Sequence, residues 1–188
     1  MDFFSKARRL FGLAGGESAA ERAYRALADF SRNPHLYRGF GVPDTFDGRF
    51  DALVFHVAIY LAALRAGGKD SPAVSAFARG VSEAFLADMD RALREAGRGD
   101  LAIGKEVKRM ASAFYGRLAS YEQGLADKGE RALAEAIGRN IFRGRAVEAA
   151  TLQNLAKYAR LSYTDLKKRP LGELVAGRVE PNPFPVRP

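Results

Sequence analysis

The chain has 188 residues and a formal net charge of +8, from 30 lysines and arginines against 22 aspartates and glutamates. Its length suits one domain, and its hydrophobic fraction of 47% is typical of a folded protein rather than a disordered one. The absence of cysteine excludes disulfide frameworks, thiolate metal sites and cysteine nucleophiles. The positive charge favours an anionic partner such as RNA, an anionic membrane surface or an acidic protein. We expect an intracellular location.

Residues 1–16 are basic and amphipathic. A helix here would place an apolar face opposite most of its cations: Phe3, Phe4, Ala7, Leu10 and Phe11 against Lys6, Arg8 and Arg9. Two interpretations stay open, an anchor at a membrane surface and a first helix docked on the domain. We expect no signal peptide, because a continuous apolar run and a small-residue cleavage site are missing.

Capping and breaking signals divide residues 17–176 into a predicted single-domain, all-α bundle of about six or seven helices. Ser18, with Glu21 three residues later, predicts the start of a helix that Asn33 and Pro34 end near Phe30. The Gly- and Pro-rich residues 34–48 are predicted to form an ordered loop pinned by aromatic side chains. The next helix, over Phe50 to Leu64, is apolar nearly all round, which is typical of a central helix or of one that reserves a face for an apolar guest.

Helices are also predicted over 72–96, from Asp100 to about Leu125, over 128–142 and over 146–168. Ser71 should cap the first of these with Pro72 at its first position, and Asp100 should cap the second. Residues 177–188 hold four prolines in the last eight positions, which predicts an extended Pro-rich tail.

The helix after Asp100 carries a predicted binding surface. Projected at about 100° per residue, its apolar residues fall on one side and its cations on the other. The candidate binding residues are Lys105, Lys108, Arg109, Tyr115 and Arg117. Glu106 is the only acid among them, so we interpret the cations as largely unpaired, with a solvated helix face as the alternative. Gly104 and Gly116 each cost about 1 kcal/mol inside a helix, which indicates that something packs closely there.

Catalytic and metal-binding patterns are missing from the sequence. His56 lies within the apolar helix and is interpreted as a hydrogen-bonded core histidine rather than a ligand. Asp88 and Asp90 point about 200° apart on a helix, so we interpret them as solvated charges rather than a shared metal site. We therefore expect no enzyme activity, no metal and no cofactor.

The sequence resembles the ubiquinol–cytochrome c chaperone family, the assembly factors for cytochrome b of the respiratory bc1 complex. The resemblance spans about Tyr37 to Tyr121. The residues that carry it are Gly41 to Phe50 (including Asp44 and Arg49), His56, Phe85, Asp88 to Asp90, Arg94, Glu95, Gly99 to Leu101, Gly104, Lys105, Val107, Lys108, Met110 and Phe114 to Arg117.

The resemblance implies an all-helical chaperone without a cofactor that binds newly made cytochrome b before haem insertion. It implies client-facing or structural importance for Asp44, Arg49, Phe50, His56, Asp88, Asp90 and Phe114 without giving any of them a chemical role. A ribosome or a small partner protein is a further partner implied by the family, and a DNA partner is not expected. The location implied is cytoplasmic and peripheral at the inner face of the inner membrane, or the mitochondrial matrix in a eukaryote.

The leading hypothesis is that apolar surface around the Phe50 to Leu64 helix shelters a hydrophobic client, while the basic segments contact anionic lipid or the client's polar loops. One alternative is a basic helical protein that binds RNA or the ribosome through the same cations. Another is a helical carrier of a small apolar ligand.

Overall fold

The computed structural model describes residues 17–97 and 99–179, and these fold into helices joined by short loops. No strand occurs among the described residues. The helices are α1 (Ala19–Ser31), α2 (Pro34–Arg38), α3 (Phe46–Gly67), α4 (Pro72–Glu95), α5 (Asp100–Ala126), α6 (Arg131–Asn140), α7 (Ala149–Lys168) and α8 (Leu171–Val175). The predicted all-α bundle is confirmed. The predictions for residues 1–16 and for most of the tail lie outside the described residues.

Helix α3 forms the centre of the bundle. Every residue from Phe50 to Leu64 is buried, because α1, α4, α5 and α7 cover it on all sides. By length and composition α3 could cross a membrane. However, 83% of its most apolar 18-residue stretch is buried inside the protein, as in the core helix of a globular domain. The interpretation of this helix as central is therefore confirmed. The bundle covers residues 50–64 in this conformation, and the expectation that apolar surface around this helix shelters a client stays a prediction.

The helix directions place several helix ends together. Helices α1 and α4 run parallel, since the Cβ of Ala20 lies beside Gly80 and Tyr24 reaches Asp88. Helix α5 runs antiparallel to α4 but parallel to α3, since Glu122 near the end of α5 pairs with Arg65 near the end of α3, and Arg117 earlier in α5 pairs with Asp51 nearer the start of α3. The starts of α1 and α4 and the ends of α3 and α5 therefore lie at one end of the bundle, which we call the termini end.

Local signals set most helix boundaries. Ser18 and Glu21 form the predicted capping box, and the Ser71 side chain caps α4 with Pro72 at its first turn. The N-cap of α5 is Gly99 rather than Asp100, which is the first helical residue. Helices α6 and α7 are shorter than predicted at their starts, at Arg131 and Ala149.

Two short helices differ from the predictions. Residues 34–48 are not wholly a loop, because Asn33 accepts a hydrogen bond from the His35 amide and starts α2. Thr45 caps α3 at its true start, four residues before the predicted Phe50. Helix α8 follows Pro170 directly and is fixed by the Tyr60 hydroxyl, which donates to the Leu174 carbonyl oxygen at 2.6 Å in the core.

Candidate functional site

The first turn of α3 is built by the segment from Gly41 to Phe50, which is part of the resemblance. The Thr45 hydroxyl accepts from the Gly48 amide at 3.1 Å and caps the helix. A Cβ atom on Gly48 would lie 1.9 Å from the Pro43 carbonyl oxygen, so only glycine lets the preceding loop fold onto the helix. Asp44 and Arg49 form an exposed ion pair across this turn at 2.7 Å, which lowers the pKa of Asp44.

A buried carboxylate in the next turn organises what we call the Asp51 ion cluster: Asp47, Asp51, Arg117 and Arg143. Asp51 is fully buried and lies 2.9 Å from both the Arg117 guanidinium and Arg143 Nε. Arg143 Nη1 also donates to Asp47 at 2.7 Å. Burial raises the pKa of Asp51, and the hydrogen bond from Arg143 and the charge of Arg117 act in the opposite direction. The cluster ties α3 to α5 and to the loop after α6.

The backbone of Arg143 adopts a conformation that an arginine rarely takes. Its φ is 53°, in the left-handed region, and Gly144 follows at 75°. This turn aims the Arg143 side chain back at α3, where it meets Asp51 and Asp47. Sequence reasoning missed this cluster of Asp47, Asp51 and Arg143, because its contacts join residues more than 90 positions apart.

Two of the predicted binding cations are not unpaired. Arg117 has a side chain only 16% exposed, pairs with Asp51 and lies over the Phe50 ring at 5.3 Å. Arg109 forms an ion pair with Glu106 one turn earlier. The prediction of a largely unpaired cation cluster is therefore wrong for Arg117, whose partner lies on another helix, and for Arg109, which pairs with the acid three residues before it.

The remaining predicted residues form an exposed surface, which we call the α5 outer face: Lys105, Lys108 and Tyr115. Both lysines are exposed and form no ion pair with a residue that the structure describes. Tyr115 is 52% exposed, one of the most exposed large hydrophobic side chains in the described part of the chain. Of the five predicted binding residues, these three remain exposed and without an ion-pair partner among the described residues.

Gly104 and Gly116 lie at exposed positions on α5. A Cβ atom added at Gly104 or Gly116 would meet nothing within 4 Å among the described residues. No described residue therefore packs closely at these exposed positions, and the expectation that something packs closely there stays a prediction. The two glycines therefore leave the backbone of α5 open to the surroundings.

Two further residues of the resemblance, His56 and Phe114, lie in the core. His56 is buried, and its Nδ1 lies 2.7 Å from the Ala52 carbonyl oxygen, which confirms a hydrogen-bonded core histidine. Burial lowers the pKa of His56 to about 4. Phe114 stacks on Phe85 with ring centroids 4.2 Å apart, and this contact joins α4 to α5.

The two aspartates of α4 are partnered rather than solvated. Asp88 accepts from the Tyr24 hydroxyl at 2.6 Å and forms an ion pair with Arg91, while Asp90 pairs with Arg94 at 2.8 Å. The interpretation of both as solvated charges is therefore wrong. Among residues 17–97 and 99–179, no group of three or more His, Asp or Glu side chains could hold a metal ion.

An apolar groove opens at the termini end, between α3, α4 and α5. Its volume is about 380 Å³. Its walls are mostly apolar and its rim is polar: Ala62, Ala66, Val74, Ala78, Leu125, Ala126 and Tyr163, with Arg65, Lys69, Ser75 and Glu122. Sequence reasoning missed this groove, because its walls come from helices far apart in the chain.

Comparison with known proteins identifies the family. Residues 38–181 match the model of the ubiquinol-cytochrome C chaperone family. The chain is 25% identical over 154 residues to ubiquinol-cytochrome c reductase complex assembly factor 1 of Drosophila melanogaster, covering 81% of this chain and 59% of that protein. The chain thus spans less than two thirds of the length of this relative. The crystal structure of the Cbp3 homolog from Brucella abortus is similar with a TM-score of 0.78 and 30% identity, covering 88% of this chain and 90% of that one. On the matched residues, this chain belongs to the ubiquinol-cytochrome C chaperone family.

Proposed function

We propose that this protein is an assembly factor that binds newly made cytochrome b and supports biogenesis of the ubiquinol–cytochrome c reductase (bc1) complex. The observation that carries the proposal is the family match over residues 38–181. The name of the Drosophila relative, a reductase complex assembly factor, supports the same assignment. The protein acts by binding alone, without a catalytic step.

The α5 outer face is the surface that we assign to the client. Lys105 and Lys108 offer charges without an ion-pair partner among the described residues, and Tyr115 offers an exposed aromatic ring beside them. Tyrosine is enriched at protein interfaces because its ring is apolar and its hydroxyl stays hydrated. The open backbone at Gly104 and Gly116 allows a client helix to approach α5 closely, as small residues do between membrane helices.

The place of action follows from the client. Cytochrome b is a membrane protein, so we assign the chaperone to the inner face of the inner membrane as a peripheral protein, or to the mitochondrial matrix in a eukaryote. The basic amphipathic residues 1–16 are suited to hold it at an anionic surface. The Asp51 ion cluster keeps α5 fixed against α3 and so keeps the α5 outer face in shape.

Capture of the client tests the proposal. Cytochrome b should come down with the tagged full chain from membranes, and Lys105→Glu with Lys108→Glu should lower its recovery at least about fivefold, because each reversal replaces attraction with repulsion. The matched control is Arg38→Glu with Arg145→Glu, which reverses two exposed cations elsewhere. Thermal unfolding should be similar in all three proteins.

Three outcomes would contradict the proposal. An unchanged amount of assembled cytochrome b in cells that lack the protein would remove the assembly function. Equal recovery with both double variants would remove the α5 outer face from client binding while leaving the function standing. Recovery of ribosomal RNA instead of cytochrome b, with steep salt dependence, would replace the function with RNA binding.

A further inference from the structure

Both ends of the described chain lie together at the termini end. The Arg22 guanidinium bridges them, because its Nη1 donates to the Glu17 carbonyl oxygen at 2.7 Å and its Nη2 to the Ala176 carbonyl oxygen at 3.3 Å. Gly177, with a φ of 77°, turns the chain against the first turn of α1, where a Cβ atom would lie 2.3 Å from the Ala19 carbonyl oxygen. Residues 1–16 and 180–188 are therefore both joined to this end.

The apolar groove opens at the same end. Its alanines, Val74 and Leu125 leave an apolar floor, and Tyr163 forms part of its wall. A cavity of about 380 Å³ that stays open to solvent is large enough to take part of an acyl chain. Nothing among the described residues fills it.

Two lysine side chains lie at or near the rim of this groove. Lys69 is an exposed rim residue, and Lys167 holds its Nζ 5.0 Å from the centre of the Tyr163 ring. Neither lysine forms an ion pair with a residue in the described ranges. The rim acid Glu122 is already paired with Arg65 at 3.0 Å. An apolar groove beside unpaired lysines matches an anionic lipid, which has an acyl chain below a negative headgroup.

The sequence before α1 adds to this match. As a helix, residues 1–16 would place Phe3, Phe4, Leu10 and Phe11 on one face, and Lys6, Arg8 and Arg9 mostly off it. Gly15 and Gly16 connect this segment directly to Glu17 at the termini end. Asp70 and Glu173 are exposed acids in the same region, so attraction to an anionic surface depends on both sets of cations.

We propose that the termini end is the face by which this domain docks on an anionic bilayer, with the groove beside Lys69, Lys167 and Tyr163 receiving lipid. The inference rests on the membrane contact proposed above for residues 1–16 and deepens it to an orientation. Lys105 lies 21 residues before the end of α5, a rise of about 30 Å along the helix. That exceeds the Debye length of about 8 Å, so Lys105 does not sense the same membrane surface. The domain therefore binds the bilayer and the client through different surfaces.

Single cysteines can test this orientation, because the chain has none of its own. We would place an environment-sensitive NBD fluorophore on the full chain at Ser75→Cys, on the groove rim, or at Ser112→Cys, exposed near the middle of α5. Vesicles of phosphatidylcholine with phosphatidylglycerol should shift the Ser75 probe to the blue and leave the Ser112 probe unchanged. Vesicles of phosphatidylcholine alone should shift neither probe.

Affinity gives a second readout that does not need the label. Lys69→Glu with Lys167→Glu should lower affinity for the anionic vesicles at least about tenfold, since each cation near such a surface contributes about 1 kcal/mol. The control Arg38→Glu with Arg145→Glu reverses two exposed cations away from this end and should change affinity less than about twofold.

The outcomes separate this inference from the membrane contact on which it rests. Vesicle binding with a shift only at Ser112 would overturn the orientation and leave the contact standing. A Ser75 shift produced by cytochrome b but not by vesicles would replace lipid with a protein occupant. A complete lack of binding to anionic vesicles would overturn both the contact and the orientation.

Discussion

Arg143 donates from Nε to the buried Asp51 carboxylate at 2.9 Å although the two residues lie 92 positions apart. The contact requires a backbone φ of 53° at Arg143, a conformation that costs a non-glycine residue of order 1–2 kcal/mol. Arg117 reaches the same carboxylate from α5. The loop after α6 is therefore held in an unfavourable conformation by the ion cluster that it completes.

Removing the charge of Asp51 should destabilise the protein strongly. Asp51→Asn leaves Arg117 and Arg143 without their shared carboxylate, and loss of one partner from a buried pair costs about 3–5 kcal/mol. The free energy of unfolding in urea measures this cost. Asp44→Asn is the matched control, because Asp44 pairs with Arg49 in an exposed position and should cost at most about 1 kcal/mol. Equal costs for the two variants would contradict the structural role of Asp51.

His56 should make the protein less stable as the pH falls. Its pKa is about 4 in the folded protein and 6.5 without burial, so between these values the unfolded chain binds a proton that the folded chain does not. The contribution of neutral His56 to the free energy of unfolding is therefore full above pH 6.5. It decreases as the pH falls towards 4, by about 3 kcal/mol at 1.36 kcal/mol per pKa unit. Urea unfolding at several pH values measures the slope. His56→Gln should flatten it, and an identical slope in the variant would assign the effect to other groups.

Arg160 closes the end of α5. Its guanidinium donates to the carbonyl oxygens of Leu125, Gly124 and Gly129 at 3.2, 3.1 and 2.8 Å. Arg160→Met should lower the free energy of unfolding by about 1–2 kcal/mol, because partly buried carbonyl groups lose their charged donor. Hydrogen exchange should accelerate around residues 124–130. Lys157→Met, an exposed change on the same helix, should cost less than about 0.5 kcal/mol, and equal effects would refute the capping role.

Alanine at the open glycines should stabilise the isolated protein. Gly104→Ala and Gly116→Ala should each raise the free energy of unfolding by about 0.5–1 kcal/mol, since the added methyl group meets no described atom and alanine favours helix. Gly124→Ala is the opposite control, because its Cβ would lie 2.9 Å from Leu133 Cα. Lower recovery of cytochrome b with the two stabilised variants would support close approach of the client. Destabilisation by Gly104→Ala would show that part of the chain contacts this position.

The helices could be predicted from the chemistry of neighbouring residues, but the contacts between helices could not. The Ser18 capping box, the Ser71 and Pro72 start and the all-round apolar α3 are each written in consecutive residues, and all were confirmed. The short helices α2 and α8 were missed because five residues carry too little periodicity.

The candidate site was predictable only in part for the same reason. Lys105, Lys108 and Tyr115 are exposed, as a helical projection can predict. The partner of Arg117 could not be read from α5, since Asp51 lies on α3, whereas Glu106 lies three residues before Arg109 on the same helix and its pairing was overlooked. Which cations remain without an ion-pair partner among the described residues depends on which acids the fold brings close to them, rather than on residue type.

The position of α3 has a consequence for synthesis of the chain. Its buried residues are covered partly by α7, which begins at Ala149, and Tyr60 finds its acceptor only at Leu174. A ribosome must therefore add more than 100 residues after Tyr60 before that hydroxyl is satisfied, as the separation of 114 positions requires. Until then the emerging chain leaves exposed the side of α3 that α7 and α8 cover, on a helix long enough to cross a bilayer. This chain thus passes through a nascent stage in which it presents the same hazard of aggregation as a membrane protein.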